Sequence, residues 1–371
     1  MTRSALFPRI YLDRSDDDLI ESVRAIKEKQ GDRLTILGHH YQSDRIVELS
    51  DFTGDSFKLC RDAAGTSAHY IVFCGVRFMA ESARVLARPE QIVQHPETSA
   101  TCPMAEMADL EDVEKAWRIL TQLQRGRRIV PVTYMNSNVD LKAFCGRNGG
   151  VVCTSSNAAR VFDWAYSKGD TIFFFPDEHL GRNTANRRGM PRGRIQVWDP
   201  KRSPQSADPA VSATAGSDNV PDAKDYAEAD LILWKGFCHV HTDFTVEHVA
   251  GIRREYPDAL VIVHPECTEE VVAMADATGS TEGIVRRVMQ AKAGETICIG
   301  TEINLVARLA NRRPDLTVVP LAISACPNMS KITLGHLLWT LENLGKVNVI
   351  EVDREIARQA ELALRRMLEL G

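Results

Sequence analysis

Nine cysteines are scattered along the chain, at 60, 74, 102, 145, 153, 238, 267, 298 and 326, and three of them share a setting the others lack. Cys102, Cys238 and Cys326 each follow an apolar run and precede a helical pattern, 136 and 88 residues apart. Open α/β folds place their chemistry at such strand-to-helix turns. Cys238 is the richest case: in Trp234-Lys235-Gly236-Phe237-Cys238-His239-Val240-His241-Thr242-Asp243-Phe244, a thiol stands among a glycine, two imidazoles and a carboxylate. Thiols at equivalent loops of repeated units can meet at one place, where helix amides favour the thiolate. Three thiolates leave a tetrahedral zinc or an iron–sulfur cubane with one open position, and soft sulfur selects these over magnesium or calcium. No CxxC pair reinforces the reading, and three thiols buried as small core residues would account for the same positions.

The imidazoles offer a rival. If His239-Val240-His241 is extended, both rings lie on one side of a strand and, with His264, His179 or His39, suit a hydrolytic zinc. For proton transfer the strongest pair is His264-Pro265-Glu266, an imidazole and a carboxylate at the mouth of the run Val261-Ile262-Val263. Hydroxyls and amides recur at strand ends and helix starts: Tyr41, Ser56, Tyr134, Asn136, Thr154, Ser155, Ser280 and Thr281. Many such residues only cap helices. Helix amino ends that carry hydroxyls also bind anions, so a small carboxylate or phosphate substrate fits better than an apolar one.

The elements that must position these groups alternate in type. At 371 residues, with 44% hydrophobic and 26% charged residues, the chain has material for two or three compact units. A net charge of -5 gives no support for nucleic-acid binding. No stretch is long enough to span a membrane and no secretory leader opens the sequence, so a reducing cytoplasmic setting with free or metal-bound thiols is expected. A helix is predicted from a cap at Ser15 to Lys29. Apolar runs follow at Leu34–Leu37, His69–Cys74, Gln91–Val93, Arg128–Tyr134, Val151–Cys153, Thr171–Phe175, Leu231–Trp234, Leu260–Val263, Thr296–Gly300 and Thr317–Pro320. Pro103 suits a first helical position, with Cys102 as its cap. Residues 183–224, dense in Arg, Pro, Gly, Ser and Asp, read as a long surface insertion. The remainder is a βα alternation of about nine strands, compatible with a closed barrel or with several layered α/β units.

The ordered motifs resemble the quinolinate synthase family over nearly the whole chain. They are Gly38-His39-His40-Tyr41-Gln42, Asp51-Phe52-Thr53-Gly54-Asp55-Ser56, Phe78-Met79-Ala80-Glu81, Thr101-Cys102-Pro103-Met104, Tyr134-Met135-Asn136-Ser137, Pro176-Asp177 with His179-Leu180, Gly236-Phe237-Cys238-His239-Val240-His241, His264-Pro265-Glu266-Cys267, Gly279-Ser280-Thr281 and Cys326-Pro327-Asn328-Met329. The resemblance implies an α/β fold of three similar three-layer αβα units around a pseudo-threefold axis, with the active site at the centre. The units would be 1–102 with 327–371, 103–237 carrying the insertion, and 238–326. It implies one [4Fe-4S] cluster on Cys102, Cys238 and Cys326, with one iron open to substrate.

The implied reaction condenses iminoaspartate (iminosuccinate) with dihydroxyacetone phosphate to quinolinate, losing phosphate and water, in de novo NAD biosynthesis. Tyr41, His264 and Glu266 would move protons. His39, Ser56, Tyr134, Asn136, Ser155 and Thr281 would bind substrate together with His264 and Glu266. An L-aspartate oxidase or aspartate dehydrogenase is the implied metabolic neighbour. The sequence departs from some members at His40, where they carry Asn, and lacks the closely spaced cysteine run that others place before Cys326. A zinc hydrolase and an iron–sulfur sensor remain the competing functions.

Overall fold

The computed structural model describes residues 7–202 and 223–371. Among the described residues thirteen strands form three sheets, and every pairing within them is parallel. The first sheet contains β1 (Leu34–His39), β2 (Phe52–Gly54), β3 (Tyr70–Cys74) and β4 (Ile92–Gln94), in the order β2-β1-β3-β4. The second contains β5 (Ile129–Tyr134), β6 (Val151–Cys153), β7 (Thr171–Phe175), β8 (Ile195–Trp198) and β9 (Leu231–Trp234), in the order β6-β5-β7-β9-β8. The third contains β10 (Leu260–Val263), β11 (Ala277–Thr278), β12 (Thr296–Gly300) and β13 (Thr317–Pro320), in the order β11-β10-β12-β13. The architecture is thus a triplicated α/β one, as the resemblance implied. It is not a closed barrel, because each sheet has two edges.

In every sheet the second strand lies on one side of the first and the third on the other, so the winding reverses between first and third strands. Open parallel sheets bind ligands beyond the carboxyl ends of the strands at that reversal. The residues delivered there are His39 and Tyr134 as the last residues of β1 and β5, Asp177 after β7, His264 after β10, and Thr301 and Glu302 after β12.

By compactness the chain divides into two units. The first comprises residues 1–102, 243–264 and 274–354 and carries the first and third sheets; the second comprises 103–242, 265–273 and 355–371 and carries the second sheet. In the first unit Ile36, Val72 and Cys74 meet Leu19, Val23, Leu337 and Leu338 in one apolar core. The helix Asp16–Gln30 supplies Leu19 and Val23; Ser15 caps it, with three aspartates in the first turn and two lysines in the last, the arrangement its dipole favours. In the second unit β7 is buried at every position, and Phe173, Phe174, Phe175 and Trp234 are all inaccessible to water. Burying each such side chain contributes about 1.5–3 kcal/mol.

Several expectations need correction. The surface insertion does not begin at 183: Asn183, Thr184 and Ala185 are buried in the helix Glu178–Arg187, and β8 is an edge strand of the second sheet. Three arginines of that stretch are committed, Arg188 to Asp163, Arg192 to Glu269 at 2.7 Å and Arg194 to Asp230 at 2.7 Å. The rest of that expected insertion, 203–222, lies outside the described residues. Cys102 does not cap a long helix; Pro103 leads into the single turn Met104–Glu106, and the helix begins at Leu110 under the Asp109 cap. By compactness the closing helix Arg354–Glu369 groups, from Glu355 onward, with the second unit. Its Met367 carbonyl accepts from Asn157 at 3.3 Å, Arg366 donates to the Gly150 carbonyl at 2.6 Å, and Gly146 is without a side chain where the Gln359 carbonyl approaches.

Candidate active site and metal-ligating residues

In the second unit, β9 ends at Trp234 and the chain turns through Gly236 to Cys238, whose carbonyl accepts from the amides of His241 at 3.1 Å and Thr242 at 3.0 Å. His239–Thr242 is therefore a helical turn. The extended reading of His239 and His241 fails, and with it their placement on one side of a strand. His241 faces the second unit's interior and meets Glu266 through Nδ1 and Oε2 at 3.2 Å, both side chains being at most 3% exposed. The Tyr134 hydroxyl, at the end of β5, donates to the other oxygen, Oε1. Both carboxylate oxygens of Glu266 are thus engaged by side chains. The Cys238 sulfur, a His241 ring nitrogen and a Glu266 oxygen all lie within 4.8 Å of one another.

Asp177 sits beyond β7, fully buried, and caps the helix Glu178–Arg187 by accepting from Leu180 N at 2.9 Å. Burial, and then the charge of Glu266, push its carboxyl well above the usual range. Burial lowers His179. The loop after β5 is braced from below: Thr133 donates to the Ser137 hydroxyl at 2.9 Å, Ser137 to the Tyr134 carbonyl at 2.7 Å, and the buried Lys142 ammonium to the Ser137 carbonyl. Asn136, half-buried in that loop, leaves its Oδ1 buried without a hydrogen-bond partner. Ser155 is half-buried two residues ahead of Asn157, the cap of the helix Ala158–Lys168.

In the first unit, β1 delivers His39, whose Nδ1 accepts from Tyr41 N at 3.1 Å. That bond assigns the ring proton to Nε2. The two rings meet edge to face at 4.7 Å. The Tyr41 hydroxyl lies 2.9 Å from Thr301 Oγ1 and 3.2 Å from Thr281 Oγ1. Ser56 and Thr281 both occupy the first position of a helix, capped by Asp55 and Ser280 respectively. His40 pairs with Glu282 at 2.9 Å. Burial alone would raise the Glu282 carboxyl; the His40 hydrogen bond and charge, with Lys58, outweigh it and hold it low. His264 is buried, its amide bonded to the Gly300 carbonyl at 3.0 Å.

The family model described as Quinolinate synthetase A protein matches residues 21–369. The chain belongs to the quinolinate synthetase A family. Among its relatives, proteins called quinolinate synthase from Bacillus cereus (strain AH187), Bacillus thuringiensis subsp. konkukian (strain 97-27) and Bacillus anthracis (strain A0248) are each 45% identical over 370 residues, covering 98% of this chain and 96% of the relative.

For a quinolinate synthetase A chain the distribution of its thiols is informative. Cys60, Cys74, Cys145, Cys153, Cys267 and Cys298 are buried, whereas Cys102, Cys238 and Cys326 are the three of intermediate exposure. Burial pushes Cys74 and Cys298 up to about 12 and raises Cys145 and Cys153 as well, so these remain neutral thiols. Burial raises Cys326 too, but the amides of Met329 and Asn328 bond to it and pull in the opposite direction. Amide donors to a sulfur are what a cluster-ligating thiolate requires. Among the described residues, the donors brought close enough to hold a metal ion are those of Cys238, His241 and Glu266.

The sequence reading passed over Thr301, Glu302, Asn304 and Arg308. Glu302 is buried and its carboxyl is raised to about 7 by burial, against the amides of Asn304, Cys326 and Leu305. The available signal was the pair Thr301-Glu302 standing directly after the apolar run Thr296–Gly300. Among the described residues no helix is long and apolar enough to cross a membrane.

Proposed function

We propose that the chain catalyses the condensation of iminoaspartate with dihydroxyacetone phosphate to quinolinate, with loss of phosphate and water, in the cytoplasmic de novo route to NAD. The observation that carries this reading is the family match across 21–369, with Tyr134, His241 and Glu266 of its motifs joined by hydrogen bonds. Cys102, Cys238 and Cys326 would hold one [4Fe-4S] cluster with three cysteine ligands and one open iron site. When bound there, the group supplies a Lewis acid for a substrate hydroxyl or carbonyl oxygen.

The protein's own groups do the rest. Glu266, shielded from water and held between the Tyr134 hydroxyl and the His241 ring, accepts and returns a proton at a fixed place; His264 and Tyr41 serve the other transfers. Asn136 offers its buried, unpaired amide oxygen to a substrate N–H or O–H. His39, Ser56, Ser155 and Thr281 bind carboxylate or phosphate oxygens, Ser56 and Thr281 doing so at helix amino ends. Iminoaspartate would come from an L-aspartate oxidase or an aspartate dehydrogenase.

Anaerobic purification with iron and sulfide analysis and a quinolinate assay tests the reading. The wild type should carry about four irons per chain. Cys238→Ser should lose both iron and activity, and Cys298→Ser should keep both. A colourless protein that forms quinolinate at full rate after chelation overturns it. The close set Cys238, His241 and Glu266 by itself suits a single zinc. That second reading requires one zinc per chain and no sulfide.

A further inference from the structure

The segment His40-Tyr41-Gln42 follows β1 as a loop, yet none of its backbone polar groups is left to water. The His40 amide donates to the Gly54 carbonyl at 3.2 Å, the Tyr41 amide to His39 Nδ1 at 3.1 Å and the Gln42 amide to the His39 carbonyl at 3.0 Å. The three carbonyls are taken by two side chains of the helix Ile303–Arg312. Arg308 donates to His40 O at 2.7 Å through one terminal nitrogen and to Gln42 O at 2.6 Å through the other, while Asn304 donates to Tyr41 O at 3.1 Å. Positions 304 and 308 are one helical turn apart, so both reach the loop from one face.

Each of these side chains is itself fixed. The Arg308 Nε donates to Asp44 Oδ1 at 2.6 Å, and Asn304 is clamped by Glu302, which accepts from its amide nitrogen at 3.1 Å and from its backbone N–H at 2.9 Å. Arg308 is 3% exposed in a helix whose other buried residues are aliphatic. A guanidinium there serves geometry: its planar fork spans two carbonyls and a carboxylate at once, which an ammonium cannot.

We infer that Asn304 and Arg308 are positioning residues for the Tyr41 hydroxyl, holding its loop so that the phenol stays between Thr281 and Thr301. The inference rests on the reading of Tyr41 as a proton-transfer group. Displacing a reacting group by about 1 Å costs on the order of 10²-fold in rate. Arg308→Lys keeps the charge beside Asp44 but cannot span both carbonyls.

The test is a double-mutant cycle on the anaerobically purified, iron-loaded enzyme, comparing wild type, Arg308→Lys, Tyr41→Phe and the pair, with Tm, iron content, kcat and KM measured for each. Arg308→Lys should retain iron and KM while kcat falls about 10–100-fold, and it should cost almost nothing further in the Tyr41→Phe background. Losses that multiply in the pair, or wild-type kcat in Arg308→Lys, overturn the inference. Wild-type kcat in Tyr41→Phe instead overturns the catalytic reading of Tyr41 and the inference with it. Should Arg308→Lys fail to fold, Asn304→Ala, which frees the Tyr41 carbonyl and one oxygen of Glu302, is read through the same cycle with the same outcomes.

Discussion

Gly236→Ala probes how closely the chemistry depends on the turn before Cys238. A Cβ built at Gly236 would stand 2.3 Å from the Pro176 carbonyl oxygen and 3.3 Å from Met107 Cβ, whereas ordinary contact begins at 3.4 Å. The oxygen belongs to the backbone, so no rotamer change relieves the overlap; one chain must retreat by about 1 Å. Both sides of the turn are pinned: Glu178 N donates to Gly236 O at 2.8 Å, and Gly236 N donates to Trp234 O at 2.9 Å. The displacement therefore falls on Phe237 and Cys238. Overpacking of this kind costs about 1–3 kcal/mol of stability, and a shift of about 1 Å at a reacting site costs on the order of 10²-fold in kcat. The expected variant folds with a lowered Tm, binds less iron and makes quinolinate about a hundredfold more slowly. Anaerobic kinetics beside iron analysis and thermal melting read all three. A Gly236→Ala enzyme with wild-type kcat and full iron would show that the turn is not what holds Cys238 in place.

Two further outcomes follow from packing and burial. His95 is fully buried, donates from Nε2 to the Gly75 carbonyl at 2.7 Å, and is pushed down to about 4 by burial against the partial support of that bond. Its unfolded form binds a proton below about 6.5 that the folded form refuses, so stability is lost as pH falls from there through about 4. Between pH 7 and pH 5 the wild type should lose about 2 kcal/mol more than His95→Gln in urea titrations, and parallel pH dependences would refute this. Gly146→Ala would drive a Cβ to 1.8 Å from the Gln359 carbonyl. It should destabilise the protein by more than about 3 kcal/mol or loosen the closing helix, read as rapid amide exchange confined to 354–369; full protection there would refute the packing argument.

Much of this arrangement was legible because the physics was local. Ser15 and its three following aspartates mark a helix start, and the apolar runs of β1, β3, β5, β7, β9, β10 and β12 mark buried strands wherever they fall. The short strands escaped: β2, β8 and β11 have two to four residues and exist because a neighbouring strand offers a pairing edge. His239-Val240-His241 reads as an extended alternation, but the Cys238 carbonyl captures two amides ahead of it and winds it into a turn. Motif residues at strand ends pointed to Tyr134 and Glu266, since polar groups beyond a buried strand need a reason to be there. Arg308 gave no such sign. On an amphipathic helix an arginine reads as solvated, and only the arrival of the loop after β1, more than 260 residues away in sequence, makes it an interior group.

The two units are threaded through one another along the chain, and this bears on how the protein is made. The unit that begins at residue 103 is completed only by 355–371, and the other unit waits for everything up to 354. Neither can finish before the segments up to 371 and 354 respectively have emerged. The newborn polypeptide must therefore keep its unfinished sheets, β7 with its three phenylalanines above all, out of reach of other chains until those segments arrive, which makes chaperone supply a determinant of yield.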